Sequence, residues 1–543
     1  MYASRQWDML RLIARRFAST RPFRRSSEAV DAYRTISGLR LQKRALTGPE
    51  IEKINRIVLD SPAINQFNEK FLSLTLSLLV SPSALAVGSN ALAVESLSKR
   101  ILALGESLTL QGCNQALGAF AKLKTANPSV DMSRHKYFCQ SVFEHFQRSF
   151  LSNCPNRELS NIFWAAHVLE LEERDSLLAV DCGLEQKLKS FDCMDLSLVC
   201  AGLMESPENA LWDPVRKELL NRREYTAKDI PSIMCSLACA GVNDRELVLH
   251  LTTVVLRDDL LTIRNLPAIV WAVATCDAVS FELLDKAVAL VSAEGDRIRD
   301  PMDIRRISRG FAVPGQLKRI EPFLMKKLSI QTNSNLSDSV VVWELVTNRM
   351  GQAALALFRS LPLSAWERLA AEAPMNRSQL YHLYLASLVD PQVVLRPAER
   401  EFLFSLQDSF SSTTEDMLSS TLHRQASESL QKLRVDHLSE FKEEKTGYVV
   451  DMYIPSTKTA VEVQGPTHFL TDLATGASVL RPADTFKHDV LRRVAGFRIV
   501  QATPWNFGPK IRTRNEVLMK ALLQGQPVPK TRKPRIQQTL DSS

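Results

Sequence analysis

A short pattern that recurs across the middle of the chain, at intervals of 37, 34, 36, 38 and 35 residues, limits its fold more than any other feature. It opens at Glu158 (ELSNIFWAA), Asp195 (DLSLVCAGL), Asp229 (DIPSIMCSL), Asn265 (NLPAIVWAV), Asp303 (DIRRISRGF) and Asp338 (DSVVVWELV), with weaker copies near Cys113 and Gln379. Between copies lies a second stretch with apolar residues at helical spacing, as in 244–256, 281–291 and 316–328. A helical hairpin of this length cannot bury its apolar face alone. The period therefore predicts an α-solenoid of helical-hairpin repeats over 105–390, each unit stacked on the next.

The polar residue that opens each unit stands three positions after Asp192, Thr226, Thr262, Asp300 or Asn335. That is the spacing of a capping box, which accounts for Asp195, Asp229, Asn265, Asp303 and Asp338 without invoking base recognition. Glu158 lacks the cap, because Pro155 occupies the place. Trp164, Trp271 and Trp343 stand six or seven residues into three units, where wedging between hairpins is the commoner role and base stacking the rarer one. Arg305, Arg306 and Arg309 form the candidate phosphate-facing patch, with a solvated helix face as the alternative.

With 543 residues, 45% apolar and 24% charged, the chain has material for two or more folded units. Its longest apolar run, FLSLTLSLLV at 71–80, is half the roughly 20 residues of a spanning helix, so no membrane partner is expected. The net charge of +8 is carried by the ends: 1–27 and 510–543 contribute +6 each, leaving the body at −4. Overall basicity is thus no argument for nucleic acid, and an RNA surface on the body must be a local patch. The first 27 residues interleave seven arginines with Met9, Leu10, Leu12, Ile13 and Phe17, which predicts a mitochondrial transit peptide and a matrix location, with a plastid as the alternative. All nine cysteines lie between Cys113 and Cys276 without a CxxC pair, so they are expected to be buried thiols rather than zinc ligands.

The expected plan continues with an N-terminal helical region at 28–104, a connector at 391–432 and a basic disordered tail at 521–543. Within 433–520 the pattern changes to short strands. GYVVDMYIPSTKTAVEVQGPTHF reads as a β-hairpin; a turn centred on Ser456 and Thr457 sets Asp451 opposite Glu462. Two acids so placed repel unless a metal, a proton or a base compensates. A helix through TFKHDVLRRVAG and a strand in FRIVQATPW complete a small α/β domain.

These motifs, GYVVDMYIP, AVEVQGPTHF, FKHDVLRRVAGFRIV and TPW, resemble the RAP domain, a C-terminal module of organelle RNA-associated proteins. In that family it often follows octotricopeptide- or heptatricopeptide-like helical repeats, and FAST-kinase-like proteins share it. The resemblance implies a restriction-endonuclease-like core. In its active members a strand Asp, an acid on the next strand and a Lys two residues later hold Mg²⁺ and activate water. Here those places fall to Asp451, Glu462 and Gln464, with Lys487 as the substitute charge and Asp451 and Glu462 as the metal ligands. A neutral Gln464 argues against cleavage, in which case no cofactor is required. His468, Lys487 and Arg492 join Arg305, Arg306 and Arg309 as the expected RNA contacts, while Phe469 and Trp505 are expected in the core.

The function this implies is mitochondrial RNA binding, on mRNA or ribosomal RNA, in processing, stability or ribosome assembly. Two alternatives accompany it: a metal-dependent endoribonuclease acting through the C-terminal domain, and a structural component of the mitochondrial ribosome.

Overall fold

The computed structural model describes residues 27–41, 46–60, 67–81, 91–126, 131–172, 187–204, 210–242, 244–330, 339–411, 421–503, 519–521 and 523–524. The transit-peptide segment, apart from Ser27, and most of the basic tail lie outside them, as do Asn335, Asp338 and Trp505. The chain is mostly helical, with a small mixed sheet region in its C-terminal part, and divides into two units, Met1–Asn221 and Arg222–Ser543. Among the described residues no helix is long and apolar enough to cross a membrane.

In the first unit, helix α1 (Leu110–Ala126) packs on α2 (Asn156–Val168), and α2 on α3 (Cys193–Gly202). The start of α3 is a full capping box: the Asp195 N–H donates to Asp192 Oδ1 at 2.8 Å and the Asp192 N–H to Asp195 Oδ2 at 3.2 Å. Asp195 also accepts from Ser160 Oγ at 3.0 Å and pairs with Arg157 Nη1 at 3.1 Å, both on α2. The opening acid therefore caps its own helix and ties it to the preceding one.

In the second unit α4 (Asp229–Cys239), α5 (Leu266–Thr275), α6 (Pro301–Gly310), α7 (Ser339–Thr347) and α8 (Pro374–Val389) pack in chain order, each on the one before. The caps here are partial. Asp300 accepts from the Met302 N–H at 2.9 Å, with Pro301 at the first helical position, whereas Thr262 donates its N–H to Asn265 Oδ1 at 2.8 Å. Asn265 also donates to the Ala227 carbonyl at 3.0 Å, Ser308 Oγ donates to buried Glu344 at 2.6 Å, and Ser339 Oγ to Gln379 at 2.6 Å. Polar links thus join the starts of α4 and α5, and tie α6 to α7 and α7 to α8.

A small residue also recurs eight places into the units: Ala165, Gly202, Ser236, Ala272 and Gly310, all buried. The reason is close approach of neighbouring first helices. A Cβ on Gly310 would lie 2.6 Å from Val270, and one on Gly202 would lie 2.7 Å from the Phe163 ring.

The C-terminal part of this unit holds two sheets. Strands β2 (Leu438–Lys442), β3 (Val449–Ile454), β4 (Thr459–Val463) and β7 (Arg498–Ala502) form one in that order, β2–β3–β4 antiparallel and β4–β7 parallel. The other is β1 (Ala278–Val279), β5 (Phe469–Asp472) and β6 (Ser478–Leu480). Met452, Ile454, Val461, Val463, Val500 and Ala502 form one core face of the larger sheet, covered by Ala426 and Leu430 of α9 (Thr421–Lys432) and by Met519. The helix read as connector is therefore part of this core. Over the opposite face lies α10 (Pro482–Val490), which continues in a π-type turn, Leu491–Ala495, and ends at Gly496 with φ 70.

The sequence places a connector at 391–432 and a separate domain beyond it, yet the C-terminal strands are joined to the helices of the same unit. β1, in the loop after α5, pairs in parallel with β5: the Thr471 N–H donates to the Asp277 carbonyl and the Leu473 N–H to the Val279 carbonyl, both at 2.8 Å. Arg481 pairs with Asp277, and Arg349 with Asp489 at 2.5 Å. Residues 469–480 thus form a hairpin that fastens one part to the other.

Candidate functional site

The register of β3 with β4, set by Met452 opposite Val461, places Asp451 opposite Glu462 as the sequence predicts. The turn differs: Pro455–Thr457 form a 3₁₀ turn and Lys458 takes the left-handed conformation, φ 47. This longer loop keeps the register, since it adds a residue to each side. On the other flank of β3, the register of Ser439 with Met452 sets Glu440 beside Asp451. Three adjacent strands therefore carry an acid at one level: Glu440, Asp451 and Glu462.

The two flanks differ in environment. Glu462 is 5% exposed and accepts from Lys487 Nζ at 2.8 Å through Oε2, while its Oε1 has no partner among the described residues. Burial, reinforced by Asp451 and opposed by Lys487, pushes its carboxyl up to about 7. Burial works against the Lys487 charge, but Glu462, Asp451 and Asp484 outweigh it and hold the ammonium above the ordinary lysine range. Lys487 Nζ also lies 5.9 Å from the ring centre of buried Tyr448.

Gln464, in the lysine position of the resemblance, is 1% exposed and its Nε2 lies 3.2 Å from His488 Nε2. The other ring nitrogen, Nδ1, lies 3.0 Å from Gln501 Nε2. A neutral imidazole donates from one nitrogen and accepts at the other, so one of the two amides presents its oxygen. Burial, with Lys487 adding to it, lowers the His488 pKa to about 4 and keeps the ring neutral near pH 7. Gln464 is held for His488 rather than for a water between the carboxylates.

Asp451 accepts the Val463 N–H through Oδ2 at 2.6 Å, and its Oδ1 lies 3.8 Å from His423 Nδ1. The same nitrogen lies 3.5 Å from Glu440 Oε1. His423, Glu440 and Asp451 offer ligand atoms within 4.8 Å of one another. One nitrogen and two carboxylate oxygens suit a first-row transition ion better than Mg²⁺, which takes oxygen ligands. The Asp451 and Glu462 pair fits a metal less well, because Lys487 already neutralises Glu462.

The other expected residues are dispersed. His468 Nδ1 lies 2.8 Å from Asp484 Oδ1, and that contact raises the His468 pKa. Arg492 sits on the π-type turn, 3.7 Å from Asp489, which also pairs with Arg349. Phe469 is buried, in line with its expected core role. Arg305, Arg306 and Arg309 lie on α6. Arg306 reaches back over the Trp271 ring of α5 and Arg309 forward over the Trp343 ring of α7, each at 5.8 Å. Both tryptophans are half-buried, so they wedge between helices and still offer an edge to solvent. Cys113, Cys139, Cys154, Cys200 and Cys276 are buried free thiols, as expected, whereas Cys193 and Cys235 are half-buried and Cys239 is exposed.

Sequence reasoning missed His423, Glu440, Tyr448, Arg481 and Asp484. The i, i+3 spacing of Asp484 and Lys487 on one helix face was the signal available for one of them. No protein-family model matches this chain, and no curated protein matches it.

Proposed function

We propose that this chain is an organelle RNA-binding protein, an α-solenoid of helical-hairpin repeats with a C-terminal RAP-type domain that holds RNA without cutting it. The observation that carries the reading is the state of the nuclease-like cleft: Glu462 is closed in an ion pair with Lys487, and Gln464 is engaged with His488. With Glu462 closed in that pair, the Asp451 and Glu462 couple leaves only Asp451 open to hold a metal and activate a water. The Trp271, Arg306, Arg309 and Trp343 row supplies what single-stranded RNA asks for, aromatic edges interleaved with guanidinium groups. The arginine-rich first 27 residues support a mitochondrial destination, and the roles that follow are transcript processing, stability or ribosomal RNA maturation.

A second reading, a metal-dependent ribonuclease, draws on His423, Glu440 and Asp451. The test incubates purified protein with single-stranded RNA in Mg²⁺, Mn²⁺ and Zn²⁺. Retarded but intact RNA supports the binding reading, and cleavage lost in Asp451→Asn supports the nuclease.

A further inference from the structure

The tryptophan and arginine row of the repeat helices leads into a half-open pocket whose far wall belongs to the C-terminal strands. Arg309, Trp343 and Thr347 line it from α6 and α7, and Leu470, Arg481 and Ala483 close it from β5 and the first turn of α10. The two walls are held together by the β1–β5 pairing and the Arg481–Asp277 ion pair, so the pocket exists only in the joined arrangement.

The lining has two kinds of surface. One is planar: the Trp343 indole and the Arg309 guanidinium, 5.8 Å from the ring centre, with Ala274, Ala312, Leu470 and Ala483 as small or aliphatic lining around them. The other is cationic. Arg309 lies 3.8 Å from buried Glu344, and Arg481 is paired with Asp277 and donates through Nε to the Thr467 carbonyl at 2.7 Å. A guanidinium carries five N–H donors, and these contacts occupy only some of them. A flat π surface beside two arginines is complementary to a ring bearing a phosphate; an acidic peptide would match the charges and leave the flat wall empty.

We propose that this pocket seats one nucleotide of a single-stranded RNA, its base against the Arg309 and Trp343 wall and its phosphate on Arg309 and Arg481. The inference rests on the RNA-binding reading above and adds where a nucleotide is gripped: at the seam, by both parts of the unit at once. RNA would then bind only the docked form, and docking and binding would reinforce each other.

The test uses the full chain, fluorescein-labelled single-stranded RNA of randomised sequence, and anisotropy across a salt series. Arg309→Ala and Ala483→Phe, which fills the pocket, are each expected to weaken binding about tenfold. Arg309→Ala is also expected to lower the salt slope by about one phosphate's share, while Arg309→Lys keeps the slope and loses affinity. Melting curves check each variant's fold, and ultraviolet crosslinking of the unmodified protein is expected to mark the peptide holding Trp343. RNA binding that is unchanged in all three folded variants, with crosslinks elsewhere, overturns the pocket and leaves the RNA reading standing. Absence of RNA binding by the unmodified protein overturns both. Displacement of bound RNA by polyglutamate as readily as by unlabelled RNA would assign the pocket to an acidic peptide instead.

Discussion

The polar cluster under α10 and the tryptophan and arginine row on α5, α6 and α7 are built from similar chemistry and reach opposite states. Under α10, Glu462 is joined to Lys487, and His488 to Gln464 and Gln501, with Glu462, Gln464 and His488 at most 5% exposed. On the helices, Arg306 and Arg309 are more than a third exposed, lie over rings and make only long ion pairs, 3.6 Å to Asp303 and 3.8 Å to Glu344. A buried charge needs its partner to exist at all, so the first cluster is a structural element with the composition of a catalytic one. A half-exposed guanidinium over an indole keeps donors free for a ligand. The features that look most like chemistry in the sequence are thus the least available in the fold.

The largest effect expected from breaking this contrast comes from Lys487→Met, which strands Glu462 beside Asp451. It should cost roughly 3 kcal/mol in urea denaturation, most of it recovered in the Lys487→Met, Glu462→Gln double variant. Recovery would mark the pair as structural. Cleavage activity lost in both variants would mark it as catalytic.

Acid titration should have an effect of similar size for each ring. His488 and His382 are both lowered to about 4 by burial, below the ordinary histidine value of 6.5. Each must take up its proton on unfolding, so stability falls as pH drops from 6.5 through 4, by at most about 3 kcal/mol per ring. His488→Gln should flatten that acid slope. Glu462, raised from 4.5 to about 7, acts in the other direction: ionising it favours the unfolded chain, so its contribution declines as pH rises through that window.

Packing of the repeat helices gives an effect of about 1–3 kcal/mol: Gly310→Ala drives a methyl to within 2.6 Å of Val270, and calorimetry should show the loss. The smallest expected change is at the seam, where Arg349→Ala removes a half-exposed ion pair with Asp489 worth about 0.5 kcal/mol. Its use is as a control, because it touches neither the closed cluster nor the row.

The helices of 105–390 were legible because the period of the pattern and its opening polar residues are local signals. Alternating residues on two strands and a turn of even length made the Asp451 and Glu462 register legible as well. Glu440 was not, because LSEFK is almost wholly exposed and shows no apolar alternation. His423 lies on a helix whose polar surroundings read as connector, and its approach to Asp451 depends on how that helix crosses the sheet. The seam was hidden for a similar reason: β1 is two residues long, and no sequence window signals that Ala278 and Val279 will pair with a strand nearly two hundred residues later. Arg481 and Asp277 meet only through that pairing.

The most direct measurement of the central claim is the fate of RNA bound to the purified full chain. One incubation with labelled single-stranded RNA, in the presence of divalent ions, is read both for complex and for fragment length. A salt-sensitive complex containing intact RNA, unchanged in Asp451→Asn, is the expected result. Fragments that vanish in Asp451→Asn, or no complex at any salt concentration, would contradict it.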